Sequence, residues 1–352
     1  MSKLPLLAFA ALTGIGTVAQ AAPSFTSSVF ALAPAGTSGP DSVAMGAGSV
    51  WISYDGGSLS SDGSQPAGFS TVARYSMAGA LQQTFQISGD VDGLKLDPSS
   101  GLMWALQNQD ANSHITLINP ATNTLAPLSY AATSQTQGVD DVVFTANGTF
   151  LSTTNPSGPT DPTLQRVVPG TSPVQVTTIA TAGQTGTNVV TGAANFVPGV
   201  VNTDSLKVAP NGDLVQTTGN RDTLLFIHNA GQPMQSFSYL TLTASGAPVT
   251  GLDDSLFVTS GSGKIFAAVT NTDQVMEIDY SGFTPGTLLA SIGSLKEIAF
   301  IDQTTGDITP FVTGLSGIHG LDVVAAVPEP SDYALMLAGL GAIGFVGRRK
   351  RK

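Results

Sequence analysis

The sequence predicts an all-β protein: a β-propeller of six blades, with seven as the alternative, set between two terminal segments that lie outside the fold. Three observations predict it. A short motif recurs along the chain: an Asp, an apolar strand, a Gly or Asn turn, then a second apolar strand. The recurring Asps at 41, 92, 141, 204 and 254 stand 51, 49, 63 and 50 residues apart, and four short strands per unit of roughly 40–50 residues is the period of a propeller blade. The composition, with 40 Gly and 21 Pro and only 11% charged residues, favours turns and short strands over long solvated helices.

The first 21 residues read as a secretory signal. Lys3 gives a short positive start, Leu4 to Val18 is an apolar run, and Ala19-Gln20-Ala21 is a small-residue cleavage pattern followed by Pro23. The expected cut follows Ala21. The apolar run is short for a permanent membrane span, which needs about 20 residues.

The repeats begin with Asp41-Ser42-Val43-Ala44, which leads to Ser49-Val50-Trp51-Ile52. Asp92 opens a strand that turns through Ser99-Ser100-Gly101 into Leu102-Met103-Trp104. Asp140-Asp141 opens one that turns at Asn147-Gly148, and Asp204 one that turns at Asn211-Gly212. Asn-Gly is the strongest short-range hairpin signal, because both residues accept positive φ. Asp253-Asp254 precedes Leu256-Phe257-Val258, and Gly261-Ser262-Gly263 then reads as the turn into Lys264-Ile265-Phe266-Ala267. A sixth opening is His319-Gly320-Leu321-Asp322. Third strands follow at 114–118, 223–227 and 274–279, and the stretch 181–203 reads as an insertion loop. A lone unit cannot bury its apolar face, so the units must stack. A final strand at 321–324 and a first strand near Ser28–Leu32 would close the ring across the termini. A β-solenoid or a stacked sandwich would use similar strands but would not close. The matching positions of Trp51 and Trp104 point to packing between blades, with an aromatic sugar platform as the functional alternative.

The C-terminus is a stop-transfer arrangement. Val327-Pro328-Glu329-Pro330-Ser331 precedes an apolar run from Tyr333 to Gly347, and the chain ends Arg348-Arg349-Lys350-Arg351-Lys352. The basic end stays cytoplasmic while the short apolar helix enters the bilayer. Together these features resemble the PEP-CTERM sorting signal of Gram-negative bacteria. The resemblance implies signal peptidase at one end and, at the other, an exosortase, a membrane-embedded cysteine transpeptidase that cuts near Pro328-Glu329-Pro330. It implies a transient inner-membrane intermediate, then delivery to the cell surface or the exopolysaccharide matrix. The chain thus divides into a signal peptide (1–21), a propeller domain (22–326) and a sorting segment (327–352).

The charge of −11 has the wrong sign for a partner of nucleic acid. With zero Cys, the chain has no disulfide, thiol nucleophile or Cys-bound metal. Loss of both ends removes six basic and two acidic residues. That leaves seven basic against 22 acidic, so the body approaches −15.

His-Glu-x-x-His, Gly-x-Ser-x-Gly and Gly-x-Gly-x-x-Gly patterns are missing, so a non-enzymatic role is favoured. The best constellation is the recurring acid. If each motif Asp starts an innermost strand, then Asp41, Asp92, Asp141, Asp204, Asp254 and Asp322 gather at one channel mouth. There they would raise one another's pKa or hold a hard cation such as Ca²⁺. The bland alternative is that each caps its own turn. His319, three residues before Asp322, is the candidate base or ligand near the channel, whereas His114 and His228 read as surface or packing residues.

The repeats over 40–324 resemble the SMP-30/NHL and YVTN-type propellers. Lactonases of the SMP-30 type hold a metal with a Glu/Asn/Asn/Asp set. The body here has only Glu277 and Glu297, within or at the ends of strands, and none of those roles transfers. The expected function is a surface or matrix protein whose propeller binds polysaccharide, cations or other proteins. The alternative is a secreted hydrolase or lyase working at the channel, with or without a cation.

Overall fold

The computed structural model describes residues 23–55, 68–108, 113–128, 138–168, 173–197, 203–218 and 222–326. The signal segment with Ala21 lies outside them. So does the sorting segment with Pro328, Glu329, Pro330, Arg348 and Arg349. Among the described residues no helix is long and apolar enough to cross a membrane.

Six sheets of four or more strands, antiparallel apart from one outer parallel pair in the fourth, stand around one axis, each with an innermost strand next to the channel. Those innermost strands are Ser38–Gly46, Val91–Leu96, Val139–Thr145, Thr203–Val208, Leu252–Phe257 and Ile318–Ala325. Each contacts the next, and the sixth contacts the first, so the ring is closed with six blades. Hairpins form at 147–148 and 211–212 as the sequence predicts, but only the glycines take positive φ, 136° at Gly148 and 89° at Gly212. In the first blade the turn Ala47-Gly48 has positive φ at both residues, the geometry that matches strand twist in a tight hairpin.

The core is divided among the seams between blades, one apolar cluster to each seam. Trp51 is wholly buried in the seam between blades 1 and 2, stacked on Phe85 at 5.9 Å. Trp104 meets Phe144 edge-on at 5.2 Å in the next seam. Both tryptophans therefore pack blades together. A large aromatic at this second-strand position fills the wedge between two twisted sheets.

Two parts of the sequence reading are corrected. The strand Leu252–Phe257 does not turn into Ser262–Val269. It pairs with Leu288–Ile292 in blade 5, while the hairpin Ser262–Val269/Gln274–Ser281 belongs to blade 6. The stretch Thr259-Ser260-Gly261 is a crossing between blades. The insertion 181–203 is also more than a loop: Thr185–Asn188 adds in parallel to Ser236–Thr241 and pairs with Ala194–Phe196, widening blade 4 at its outer edge.

Blade 6 closes the ring. Its inner strand is the C-terminal Ile318–Ala325 and its outer strand is the N-terminal Ser24–Leu32. Chain ends paired into one sheet hold the circle shut, because opening it means breaking a whole edge of backbone hydrogen bonds.

Candidate functional site at the acidic mouth

Every inner strand carries a register shift where the recurring motif begins. A bulge of this kind breaks the strict alternation of side chains and re-aims them. As a result two successive residues per blade reach the mouth. The first of each pair forms a ring: Asp41, Asp92, Asp140, Asp204, Asp253 and His319, one from each blade. They surround a polar cavity of about 250 Å³.

The second residue of each pair works on the neighbouring blade. Asp141 Oδ2 accepts the Leu206 N–H at 2.8 Å, and Asp254 Oδ2 accepts the Leu321 N–H at 2.6 Å. Ser42 Oγ accepts the Leu94 N–H at 3.0 Å, and Ser205 Oγ accepts the Ser255 N–H at 3.4 Å. Gly93 occupies this place in blade 2, where a Cβ would lie only 1.9 Å from the Asp140 carbonyl oxygen. One turn deeper, Asp322 Oδ2 accepts the Met45 N–H at 2.8 Å, latching blade 6 to blade 1.

Five of the six motif acids thus line the mouth, namely Asp41, Asp92, Asp141, Asp204 and Asp254. Asp322 does not join them; it lines the cavity at the other end of the channel. Asp141 and Asp254 are in the mouth as blade latches. Sequence reasoning missed Asp140 and Asp253, the true ring members of the two tandem acid pairs. Counting back two residues from the apolar residue after each pair (Val43, Leu94, Val142, Leu206, Leu321) would have found Asp140 and put His319 in register with the acids.

Lys207 also escaped the sequence reading. It forms the floor of the mouth, with its Nζ 2.9 Å from Asp254 Oδ1 and 3.3 Å from Asp141 Oδ2. Burial works against its charge, but those two carboxylates hold its pKa above the ordinary lysine value. Lys207 lines both the acidic mouth and the larger cavity beyond it, so it separates the channel into two chambers. The second chamber, of about 620 Å³, is mainly lined by apolar residues such as Leu96, Phe144, Leu256 and Phe257.

The ring has two electrostatic halves. On one side His319 Nδ1 lies 3.3 Å from Asp253 Oδ1 and 3.4 Å from Asp41 Oδ1. Burial disfavours the imidazolium, but Asp253, and then Asp41 and Asp204, raise its pKa to about 10. On the opposite side Asp140 and Asp204 are hydrogen-bonded to each other and share the field of the other acids. Burial first holds both well above the carboxylate range; the shared hydrogen bond pulls Asp140 down and pushes Asp204 up, while the charges of the other acids push both up, and a hydrogen bond between two carboxyl groups requires one proton. Asp41 is pushed up by burial to about 7 in spite of His319, and Asp55, bonded to Asp90 beside the ring, is raised by burial to about 8. Asp140 is 4% exposed, and its Oδ2 has no hydrogen-bond partner.

His228 is bound to Asp213 at 2.7 Å and Ser238 at 2.8 Å on the outer part of blade 4, remote from the ring. Glu277 pairs with Lys264 in blade 6, and Glu297 is buried at a strand end in blade 5. Neither glutamate reaches the mouth. Among the described residues no three acidic or imidazole groups are arranged to hold a metal ion.

Residues 326–352 match the PEP-CTERM protein-sorting motif. No curated protein matches the sequence. Among solved structures, virginiamycin B lyase from Staphylococcus aureus is similar with a TM-score of 0.49 at 10% identity, covering 85% of this chain and 92% of that one. A periplasmic gluconolactonase from Pseudomonas aeruginosa gives 0.49 at 13% identity, covering 82% and 89%. A streptogramin B lyase gives 0.48 at 15% identity, covering 84% and 90%. The chain is a six-bladed β-propeller followed by a PEP-CTERM motif, which marks it for export, anchoring through the membrane and surface display in a Gram-negative bacterium.

Proposed function

We propose that the propeller is a surface-displayed binding module whose acidic mouth takes a ligand bearing a primary ammonium group. The observation that carries this is Asp140 Oδ2, a buried acceptor without a partner inside a ring of acids. An unsatisfied buried oxygen costs about 1–3 kcal/mol, and an N–H donor entering the mouth removes that cost. On this side the acids have a shared proton where the other side has His319. An ammonium group, with three N–H donors, is suited to replace that proton and bond to Asp140 and Asp204 together. A hard cation such as Ca²⁺ fits less well, because it needs six to eight oxygen ligands and the mouth already holds His319 and Lys207.

Calorimetry on residues 22–326, which contain the whole closed ring, tests this with putrescine, glucose and calcium as probes. Putrescine is expected to bind with release of a proton, and Asp140→Asn to abolish the binding. Binding of glucose alone would reassign the mouth to neutral hydroxyl groups. A response to calcium alone would restore the metal reading, and silence with all three would sink the proposal.

One observation favours the hydrolase or lyase reading: the hydrogen bond shared by Asp140 and Asp204 lowers the pKa of the first and raises that of the second, as between a base and an acid. If the mouth is catalytic, turnover of a lactone or glycoside should vanish in both Asp140→Asn and Asp204→Asn. Wild-type turnover in either variant would remove the idea.

A further inference from the structure

The path of the chain through blade 6 fixes which end of the propeller is tethered. The inner strand Ile318–Ala325 starts at the acidic mouth with His319 and runs to the other end of the channel. Six residues of strand carry it about 20 Å. Ala325 lies opposite Gly263, and Ser262 is paired with Ser281, which is paired with Ser24. Both chain ends therefore leave blade 6 at the end away from the acids. Ser24, Phe25, Val324, Ala325 and Ala326 line one mainly apolar groove of about 800 Å³ there.

The sorting motif starts at Ala326, and the apolar run begins seven residues later at Tyr333. Seven extended residues reach at most about 25 Å. Laying the acidic end on the bilayer would need the chain to cross the width of a blade and the depth of the channel. Four strands at about 4.8 Å and a depth of about 20 Å sum to about 40 Å. The leash is too short for that.

We propose that, while its C-terminal segment holds the protein at the membrane, the propeller sits with its apolar end towards the bilayer and presents its acidic mouth outwards. This inference rests on the sorting motif and the topology, not on the identity of the mouth's ligand.

The chain has no cysteine, so single-cysteine variants of the full-length protein report orientation directly. Leu295→Cys and Asn271→Cys mark exposed turns at the acidic end. Asn211→Cys and Ser262→Cys mark exposed positions at the opposite end. Each would carry an environment-sensitive fluorophore in membranes of an exosortase-deficient host containing nitroxide-headgroup lipid. Labels at 211 and 262 should be quenched several-fold more than those at 271 and 295. Equal or reversed quenching would overturn the proposal. A twenty-residue Gly-Ser insertion after Ala326 should erase the asymmetry. Persistence of the asymmetry would assign it to something other than the leash and would equally overturn the argument. Matching melting curves of all variants would confirm that each is folded.

Discussion

His319 stands where the other five blades carry an aspartate, and its Nδ1 lies 3.3 Å from Asp253 Oδ1 across a blade seam. One imidazolium in a ring of five acids makes the mouth asymmetric. It also offsets enough charge for the acids to sit together. His319→Gln keeps a side chain of similar reach but removes the cation. It should lower the melting temperature by ~2–4 °C at pH 7, for a loss of about 1 kcal/mol. The loss relative to the wild type should be larger at pH 5 than at pH 8, because the imidazolium contributes fully below about pH 6.5 and less as pH rises towards its folded value. An unchanged melting curve at both values would show that the contact contributes nothing.

The stability of the wild-type domain should fall as pH rises. Asp41 and Asp55 have folded pKa values of about 7 and 8, above the ordinary carboxylate value, and Asp140 and Asp204 shift the same way. A carboxyl with a raised pKa binds its proton more tightly when folded, so the stability it gives is lost between about pH 4 and its folded pKa. His319, raised to about 10, loses its contribution between its unfolded value of 6.5 and that figure. All five groups therefore act in one direction. Melting scans from pH 5 to pH 9 should decline steadily, and a maximum at pH 8 or above would contradict the assignment.

Lys207 is the most consequential single charge. Replacing it with Met leaves Asp141 and Asp254 facing each other at the channel floor without a counter-ion. Removing one partner of a buried ion pair costs roughly 3–5 kcal/mol. The triple variant Lys207→Met/Asp141→Asn/Asp254→Asn should recover much of this loss. Chemical denaturation measures both, and equal stability of the two variants would show that charge is not the cause.

Gly93→Ala should be poorly tolerated, although a methyl group is the smallest side chain. Its Cβ would lie 1.9 Å from the Asp140 carbonyl oxygen and 3.3 Å from Leu106 Cβ, so the seam between blades 2 and 3 must open. A loss of about 1–3 kcal/mol is expected, as in other overpacked cores. As a control, Gly101→Ala has open space around it and should cost only the strain of its positive φ. Denaturant midpoints compare the two, and an equal loss in both would contradict the steric account.

Much of the fold was legible because it is local. Asn147-Gly148 and Asn211-Gly212 mark their hairpins within four residues, and the spacing of Asp41, Asp92 and Asp204 reports the blades directly. The hairpin Ser262–Ser281 was misassigned for the opposite reason. Its Gly-Ser-Gly approach looks the same whether the preceding strand pairs with it or with Leu288–Ile292 some 30 residues later. That choice is made by packing against Phe311 and Leu321, not by any nearby residue.

The candidate site shows the same division. That an acid opens each unit could be read along the chain. Which acid of Asp140-Asp141 or Asp253-Asp254 faces the ring could not, because the bulge at that point suspends the alternation from which facing is inferred. Nor could the placement of Asp322 in the second chamber, away from the mouth, or the bridging role of Lys207.

By itself the sequence determined the address of this protein, the repeat that builds it and the acidity of its body, since each is written in contiguous residues. The tertiary structure alone decided which acids share a mouth, which latch neighbouring blades, and where their protons reside. Those outcomes depend on distances between side chains dozens of residues apart, on burial that raises carboxylate pKa values, and on a ring closed by the two ends of the chain.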